Sequence, residues 1–252
     1  MIDLKSIKKT KGMKPPSMIV YGSAGVGKTT FAAMAPNPVF LQTEAGEGTL
    51  ELSTFPLLKS FRECLESIAA LIEHEHDYKT LVVDSLDHLE PLIWKVVCEQ
   101  NNIDSIEKLG YGKGYVMALD LWREFLAAVN TLRDRKGMAI ILIAHTHIRK
   151  FESPDSDTYD RYEIKLHQKA SGLIQESVDA VMFAKHKVIT KKEDKGFGNT
   201  RVRGISTGER VLCTTESPGF IAKNRYGLPA EIDFNWSAFE TAIIATTTKQ
   251  GD

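Results

Sequence analysis

Apolar residues in this chain fall in short dense runs, separated by stretches where they recur every three or four positions. Residues 17–21 form a dense run ending at Gly22 and predict a short buried strand. A helix-compatible segment starts near Lys28 and stops before Pro36, and residues 38–43 predict a second strand. Residues 58–75 carry Phe61, Leu65, Ile68, Ala69 and Ile72 at helical spacing. A strand over 80–84 and an apolar helix over 86–99 follow, and the pattern breaks at 110–114. Leu119, Trp122, Phe125, Leu126, Val129 and Leu132 then line one face of a helix that stops before Gly137. Residues 138–144 are wholly apolar, as in a parallel strand covered on both faces. Residues 149–163 are polar with both signs of charge and read as a loop. From Val178 the chain is strand-like, with Gly-rich turns at 196–198 and 204–208.

Alternating strands and helices imply right-handed crossovers and a three-layer α/β fold: a central, mostly parallel sheet with a β-rich C-terminal extension. Residues 1–16, rich in Lys and ending in Pro15-Pro16, read as a basic arm. Residues 17–240 read as the domain, and the Thr-rich 241–252 as a flexible tail. There are no internal repeats.

The bulk numbers narrow the function classes. With 252 residues and 42% hydrophobic composition, the chain can bury one sizeable core. A net charge of −1 gives no global attraction to nucleic acid or membrane, so any DNA-binding surface must be a local patch. Cys64, Cys98 and Cys213 have neither metal-ligand spacing nor the even count of a disulfide framework, which fits a reducing compartment. No apolar run approaches a membrane span and the N-terminus lacks a secretory apolar core, so the expected location is the cytoplasm.

Gly22-Ser23-Ala24-Gly25-Val26-Gly27-Lys28-Thr29 fits G-x-x-x-x-G-K-[ST], the P-loop pattern. Its glycines let the backbone wrap closely around a polyphosphate, with N–H groups pointing inward. Lys28 is placed to reach the β- and γ-phosphates and Thr29 Oγ1 to bind Mg²⁺. The expected nucleotide-binding set is Gly22, Ser23, Ala24, Gly25, Val26, Gly27, Lys28, Thr29 and Thr30, with ATP and Mg²⁺ as ligands. Asp84 ends an apolar strand, where a carboxylate is costly without a positive partner. Mg²⁺, held with Thr29, is that partner; capping of the next helix is the other reading, open also to Ser85 or Asp87. Glu44 ends the second strand, where ligands gather in open α/β sheets, and is a candidate base for the attacking water. Glu47, in the Gly46-Glu47-Gly48 turn, competes for that role. His145 and His147 follow the apolar strand at 138–144, and His145 can report on the γ-phosphate. No acidic or Cys residue has the local spacing to complete a metal site with them.

These residues resemble those of RecA-type ATPases, and more narrowly the phage-encoded RecA-like NTP-binding proteins that include single-strand-annealing recombinases. The resemblance covers residues 17–239. It is carried by the P-loop, Thr43-Glu44, Leu81-Val82-Val83-Asp84-Ser85, Gly110-Tyr111-Gly112-Lys113-Gly114-Tyr115, Ala144-His145 and Ala222-Lys223-Asn224-Arg225-Tyr226-Gly227-Leu228-Pro229. It implies Glu44 as catalytic base and His145 as γ-phosphate switch, although RecA itself has an amide there. It further implies that Lys223 and Arg225 reach the nucleotide of a neighbouring subunit, within a homo-oligomer sharing its active sites.

The resemblance also implies two DNA-contacting loops. The first is 110–115, where Tyr111 and Tyr115 can stack on bases and Lys113 can meet a phosphate. The second is about 149–165, whose Glu152, Asp155, Asp157, Asp160 and Glu163 depart from a cationic loop. A late hairpin offers a basic patch instead, with Lys191, Lys192, Arg201 and Arg203 among its cations. The leading expectation is an ATP-hydrolysing ring or filament on single-stranded DNA, with a single-strand DNA-binding protein as a possible partner. The alternative is a nucleotide-switched loader that grips a protein. A small-molecule kinase ranks third, since no acceptor-binding lid is evident.

Overall fold

The computed structural model describes residue 3 and residues 13–46, 50–153, 157–194 and 200–249; within 189–194, 200–207 and 247–249 it describes the backbone alone. Most of the basic arm and Glu47 therefore lie outside the described residues. The strands are β1 (Ser17–Gly22), β2 (Pro38–Gln42), β3 (Thr80–Asp84), β4 (Ala139–Phe151), β5 (Tyr159–Ile164), β6 (Ala180–Asp194), β7 (Thr200–Cys213), β8 (Lys223–Asn224) and β9 (Glu231–Asp233). The helices are α1 (Lys28–Ala33), α2 (Phe61–Glu73), α3 (Leu86–Gln100), α4 (Lys113–Lys136), α5 (Gln168–Ser177) and α6 (Trp236–Lys249).

The sheet order is β2-β3-β4-β1-β6-β7-β9, with β5 on β4 and β8 on β6. The pairs joining β2, β3, β4, β1 and β6 are parallel, and those from β6 to β7 and β7 to β9 are antiparallel. This is a three-layer α/β architecture, a mostly parallel sheet between helical layers with a β-rich C-terminal extension. Side-chain alternation divides the core in two. Ile19, Tyr21, Leu81, Val83, Ile140 and Leu142 face the layer of α2, α3, α4 and α5. Met18, Val20, Val82, Ile141 and Ile143 face α1 and α6. On that second face Phe31 of α1 stacks on Phe234 (5.1 Å) and meets Trp236 (5.5 Å) and Phe239 (6.0 Å).

Four expectations need correction. The described ends of the 149–163 stretch are not loop: β4 continues to Phe151 and pairs antiparallel with β5, which begins at Tyr159; residues 154–156 lie outside the described residues. These strands project past the packed layers, so they need no continuous apolar face. Residues 204–208 are not a turn but lie within β7, where Gly208 (φ 80°) sits at a register shift against β6. Helix α5 was not foreseen, because its buried residues are only Ala170, Ser171 and Ile174. Finally, α6 carries the chain as helix through Lys249, across the boundary drawn at 240.

One buried acid ties α3 to α5. Both carboxylate oxygens of Glu90 accept from the His167 N–H at 3.0 Å, just before α5 begins. Burial pushes the Glu90 pKa up to about 7; the His167 N–H pulls it down by less, and Asp87 adds a smaller upward push. The folded state therefore binds more protons than the unfolded state between the ordinary value of 4.5 and about 7, so this group's contribution to stability falls as pH rises through that window. Glu90→Gln keeps an acceptor oxygen and cannot ionise. Urea midpoints at about pH 5 and pH 8 should show the wild-type loss shrinking in the variant, by an amount on the order of 2–3 kcal/mol. Identical pH slopes would refute the assignment.

Candidate functional site

The parallel strands all end on one edge, and the chemistry-bearing residues collect there. β1 ends at Gly22, paired with His145 of β4 on one side and Ala184 of β6 on the other. A side chain at Gly22 would put its Cβ 2.4 Å from the Ala184 carbonyl oxygen, so glycine is what lets β1 and β6 stay in register into the loop. The loop crest, Ser23 to Gly25, is exposed, while Val26 is fully buried and pins the loop to the core. Gly27 adopts φ 102° immediately before α1.

Lys28 is buried, and its Nζ donates to the carbonyls of Gly22 (3.1 Å) and Ser23 (3.0 Å). Burial lowers its pKa, opposed by Asp84, Asp87 and Glu44. Thr29 Oγ1 donates to Asp84 Oδ2 at 2.7 Å. Burial raises the Asp84 pKa and nearby Glu44 adds to it, against the Thr29 hydrogen bond and the charge of Lys28. The Asp84–Ser85 peptide is cis. Thr43 locks the ends of β2 and β3 together: its N–H donates to the Asp84 carbonyl at 2.9 Å, and its hydroxyl accepts from Ser85 N–H at 2.8 Å.

A cavity of about 450 Å³ opens above these groups. Gly25, Gly27, Lys28, Thr29 and Thr30 bound it on one side, and Glu44, Asp84 and His145 on the other. The structure thus brings together most of the expected phosphate site, including both expected Mg²⁺ ligands, the candidate base and the candidate switch. A hydroxyl and a carboxylate in contact are a hard-oxygen pair suited to Mg²⁺.

Three contributors to this edge were not singled out for it in the sequence. Asp87 was read only as a possible cap. Its side chain is buried, takes the His145 N–H at 2.9 Å on Oδ1 and meets His145 Nδ1 at 3.0 Å on Oδ2. Burial pushes the Asp87 pKa up, but these hydrogen bonds and the nearby imidazole outweigh it and hold the pKa at about 2. His88 sits 2.9 Å from Ser85 Oγ and 3.4 Å from Glu44 Oε2. Both residues lie in the helical turn after Asp84, which places them over the same edge; that spacing was the available signal. Arg210 of β7 donates to the Val26 carbonyl at 3.1 Å from 184 positions away, and nothing local announces it. The metal reading of His145 also changes. His147 is not its companion; His88 and Glu44 are, from two other elements.

The late basic pair does not join the site. β8 pairs with β6 at Ala180 and Val181, the end of β6 away from the P-loop. Lys223 Nζ donates to the carbonyls of Gln175 (2.7 Å), Glu176 (3.1 Å) and Val178 (2.6 Å), closing the C-terminus of α5. Within its own subunit the donors of Lys223 serve the helix end. Arg225 is more exposed, with one 3.5 Å contact to Asp179.

The expected DNA loop is also rearranged. Lys113 and Tyr115 belong to the first turn of α4. Tyr115 stacks on His167 (centroids 4.0 Å), lies edge-on to Trp94 (5.3 Å) and donates to Glu107, so it is packed and not free to stack on a base. Tyr111 is fully exposed, and Lys113 beside it is exposed too. Lys191, Lys192, Arg201 and Arg203 lie on the β6–β7 hairpin, with Lys191 opposite Arg203 in register; their side chains fall outside the described part. Among the described residues, no helix is long and apolar enough to cross a membrane.

Residues 14–226 match the AAA_24 family, described as an AAA domain. The SPbeta prophage-derived uncharacterized protein YorG of Bacillus subtilis (strain 168) is 25% identical over 141 residues, which are 54% of this chain and 42% of that protein. The chain therefore spans less than half the length of this curated relative. A crystal structure of the RadB recombinase superimposes with a TM-score of 0.48 and 14% identity, over 90% of this chain and 91% of that one. The family match takes in the P-loop, Glu44, Asp84 and His145 within one continuous span, and on that span the chain belongs to the AAA_24 family of AAA domains.

Proposed function

We propose that this domain is a Mg²⁺-dependent ATPase that works on single-stranded DNA in phage recombination or annealing, assembled as a ring or filament. The observation that carries the ATPase reading is the 2.7 Å contact between Thr29 and Asp84 beside buried Lys28, in a cavity that Glu44 and His145 also line. Lys28 bonds the carbonyls of its own loop, and it would exchange those two contacts for phosphate oxygens on binding ATP. Thr29 and Asp84 would hold Mg²⁺, which supplies charge neutralisation between the β- and γ-phosphate oxygens. Glu44 orients the attacking water and takes its proton. Asp87 fixes the His145 ring, leaving its other nitrogen to register the γ-phosphate. Lys28→Ala should abolish ATP binding in a chain that still melts cooperatively. Glu44→Gln should bind ATP normally and turn over about 10²–10⁴-fold more slowly. Wild-type turnover in folded Glu44→Gln would remove it from the role of base.

Arg225 is assigned to a neighbour's nucleotide. Its own P-loop is out of reach, since Ala180 and Ala184 alone are about 13 Å apart along β6. Arg225→Ala should lose turnover at unchanged melting temperature and regain it when mixed with Lys28→Ala subunits. Lys223→Met should instead lower the melting temperature, because it strips the donor from three carbonyls. Absence of recovery in proven mixed assemblies would confine Arg225 to its own subunit.

The DNA reading rests on Tyr111. Gly110, Tyr111 and Gly112 have φ of 63°, 49° and 68°, an uncommon conformation for a bulky residue, and they hold the tyrosine clear of the surface. A fully exposed aromatic beside a lysine suits a base and its phosphate. The mixed charge of the β4–β5 hairpin favours the second reading, a loader that grips protein. Tyr111→Ala and Lys113→Ala should each weaken oligonucleotide binding while ATP binding and melting hold, and wild-type affinity should fall steeply with salt. No salt-sensitive binding, even with a non-hydrolysable ATP analogue, would leave the loader.

A further inference from the structure

Beside the oxygen pair of Thr29 and Asp84 lies a second donor set of different chemistry. One ligand atom each from Glu44, His88 and His145 lies within 4.8 Å of the others, the one such group of His, Cys or acidic side chains among the described residues. The three come from separate elements: Glu44 follows β2, His88 is in the first turn of α3, and His145 is in β4. All three are partly exposed, with side-chain exposures of 32%, 41% and 22%, and Glu44 and His145 also line the cavity, so an ion can reach them. The rings of His88 and His145 are 5.9 Å apart and nearly perpendicular.

The arrangement behind His145 is what separates this group from a chance cluster. Asp87, with a side chain 2% exposed, meets His145 Nδ1 at 3.0 Å and also takes its backbone N–H. A carboxylate behind the inner ring nitrogen fixes the tautomer and aims the outer nitrogen as a donor, the support that metal-binding histidines ordinarily have. Two imidazoles and one carboxylate, with a fourth position open to the cavity, are a borderline N₂O set that suits Zn²⁺. Mg²⁺ takes oxygen donors and is better served by Thr29 and Asp84. Tetrahedral Zn²⁺ at about 2.0–2.1 Å from its donors needs them roughly 3.3 Å apart, so modest side-chain rotation closes the site.

We propose that Glu44, His88 and His145 bind one Zn²⁺-class dication, supported by Asp87 and separate from the Mg²⁺ position, and that its binding switches the ATPase off. The switching rests on the reading of Glu44 as base; the binding does not. A Glu44 carboxylate that coordinates a metal cannot accept the proton of the attacking water, and His145 is withdrawn from the γ-phosphate by the same ion.

The test uses the full chain, untagged and without nucleotide, titrated with Co²⁺ as a spectroscopic stand-in and then with Zn²⁺. One Co²⁺ per chain should bind, showing visible d–d bands and no thiolate charge-transfer band, and Zn²⁺ should displace it. His88→Ala should weaken binding at least tenfold, Asp87→Asn by about 10–100-fold, and Asp84→Asn should leave it unchanged. Unaltered binding in His88→Ala, loss of binding in Asp84→Asn, or a thiolate band would each overturn the site. In the second arm, micromolar Zn²⁺ added at saturating Mg²⁺ should stop wild-type ATP turnover and leave His88→Ala resistant. Binding with the expected variant pattern but undiminished turnover would keep the site and refute Glu44 as the base.

Discussion

The hydrogen bond from Thr29 to Asp84 joins two strands that do not touch. Thr29 follows β1 and Asp84 ends β3, and β4 runs between them. The 2.7 Å contact is possible only if β1 and β3 end against the same stretch of β4, Gly22 at His145 and Asp84 at Ile143, so the register of the sheet is a requirement of the site. Ile19 lies beside Leu142 and Val83 beside Leu142 on its other side, which sets the ends of β1 and β3 against the same segment of β4. A one-residue slip in either pairing would move Asp84 away from the loop and turn its strand's apolar residues to the wrong faces.

Burial pushes the pKa of both Asp84 and Asp87 up, yet their net shifts are opposite, although they stand three positions apart. Asp84 has one hydroxyl donor and a lysine whose ammonium is engaged elsewhere, and its pKa stays raised. Asp87 has two donors from His145, and it stays ionised. One carboxylate is left short of positive charge while the other is fully committed to structure. A dication brought to Asp84 meets that shortage, since a nearby opposite charge favours the carboxylate form.

The parallel core was legible because its strands, covered on both faces, are continuous apolar runs, and because the phosphate loop draws its donors from eight consecutive residues. What escaped was built from distant parts or from segments without an apolar face. Arg210 reaches the loop from the antiparallel extension, and Glu44, His88 and His145 converge only once β2, β3 and β4 are side by side. The β4–β5 and β6–β7 hairpins extend past the helical layers, so nothing forces an apolar alternation on them. Lys223-Asn224-Arg225 matched a known pattern, yet the contacts divide it: Lys223 closes a helix and Arg225 is left to solvent and one aspartate. Tyr111 and Tyr115 look equivalent in the sequence. The first turn of α4 puts Tyr115 against His167, while the positive-φ turn before it directs Tyr111 outward.

Strand β6 pairs with β1 only through Ala184, and its partnership with β7 then continues alone to Asp194. Those ten residues make an arm of about 34 Å at the usual strand rise. Its root lies where Arg210 touches the Val26 carbonyl, at the base of the phosphate loop. The arm is therefore rooted at the phosphate loop through a single side-chain contact. A rotation of about 5° at that root carries the far end through about 3 Å, as follows from an arm of roughly 34 Å. The length of the arm thus sets how far its far end at Asp194 travels for a given tilt at the root.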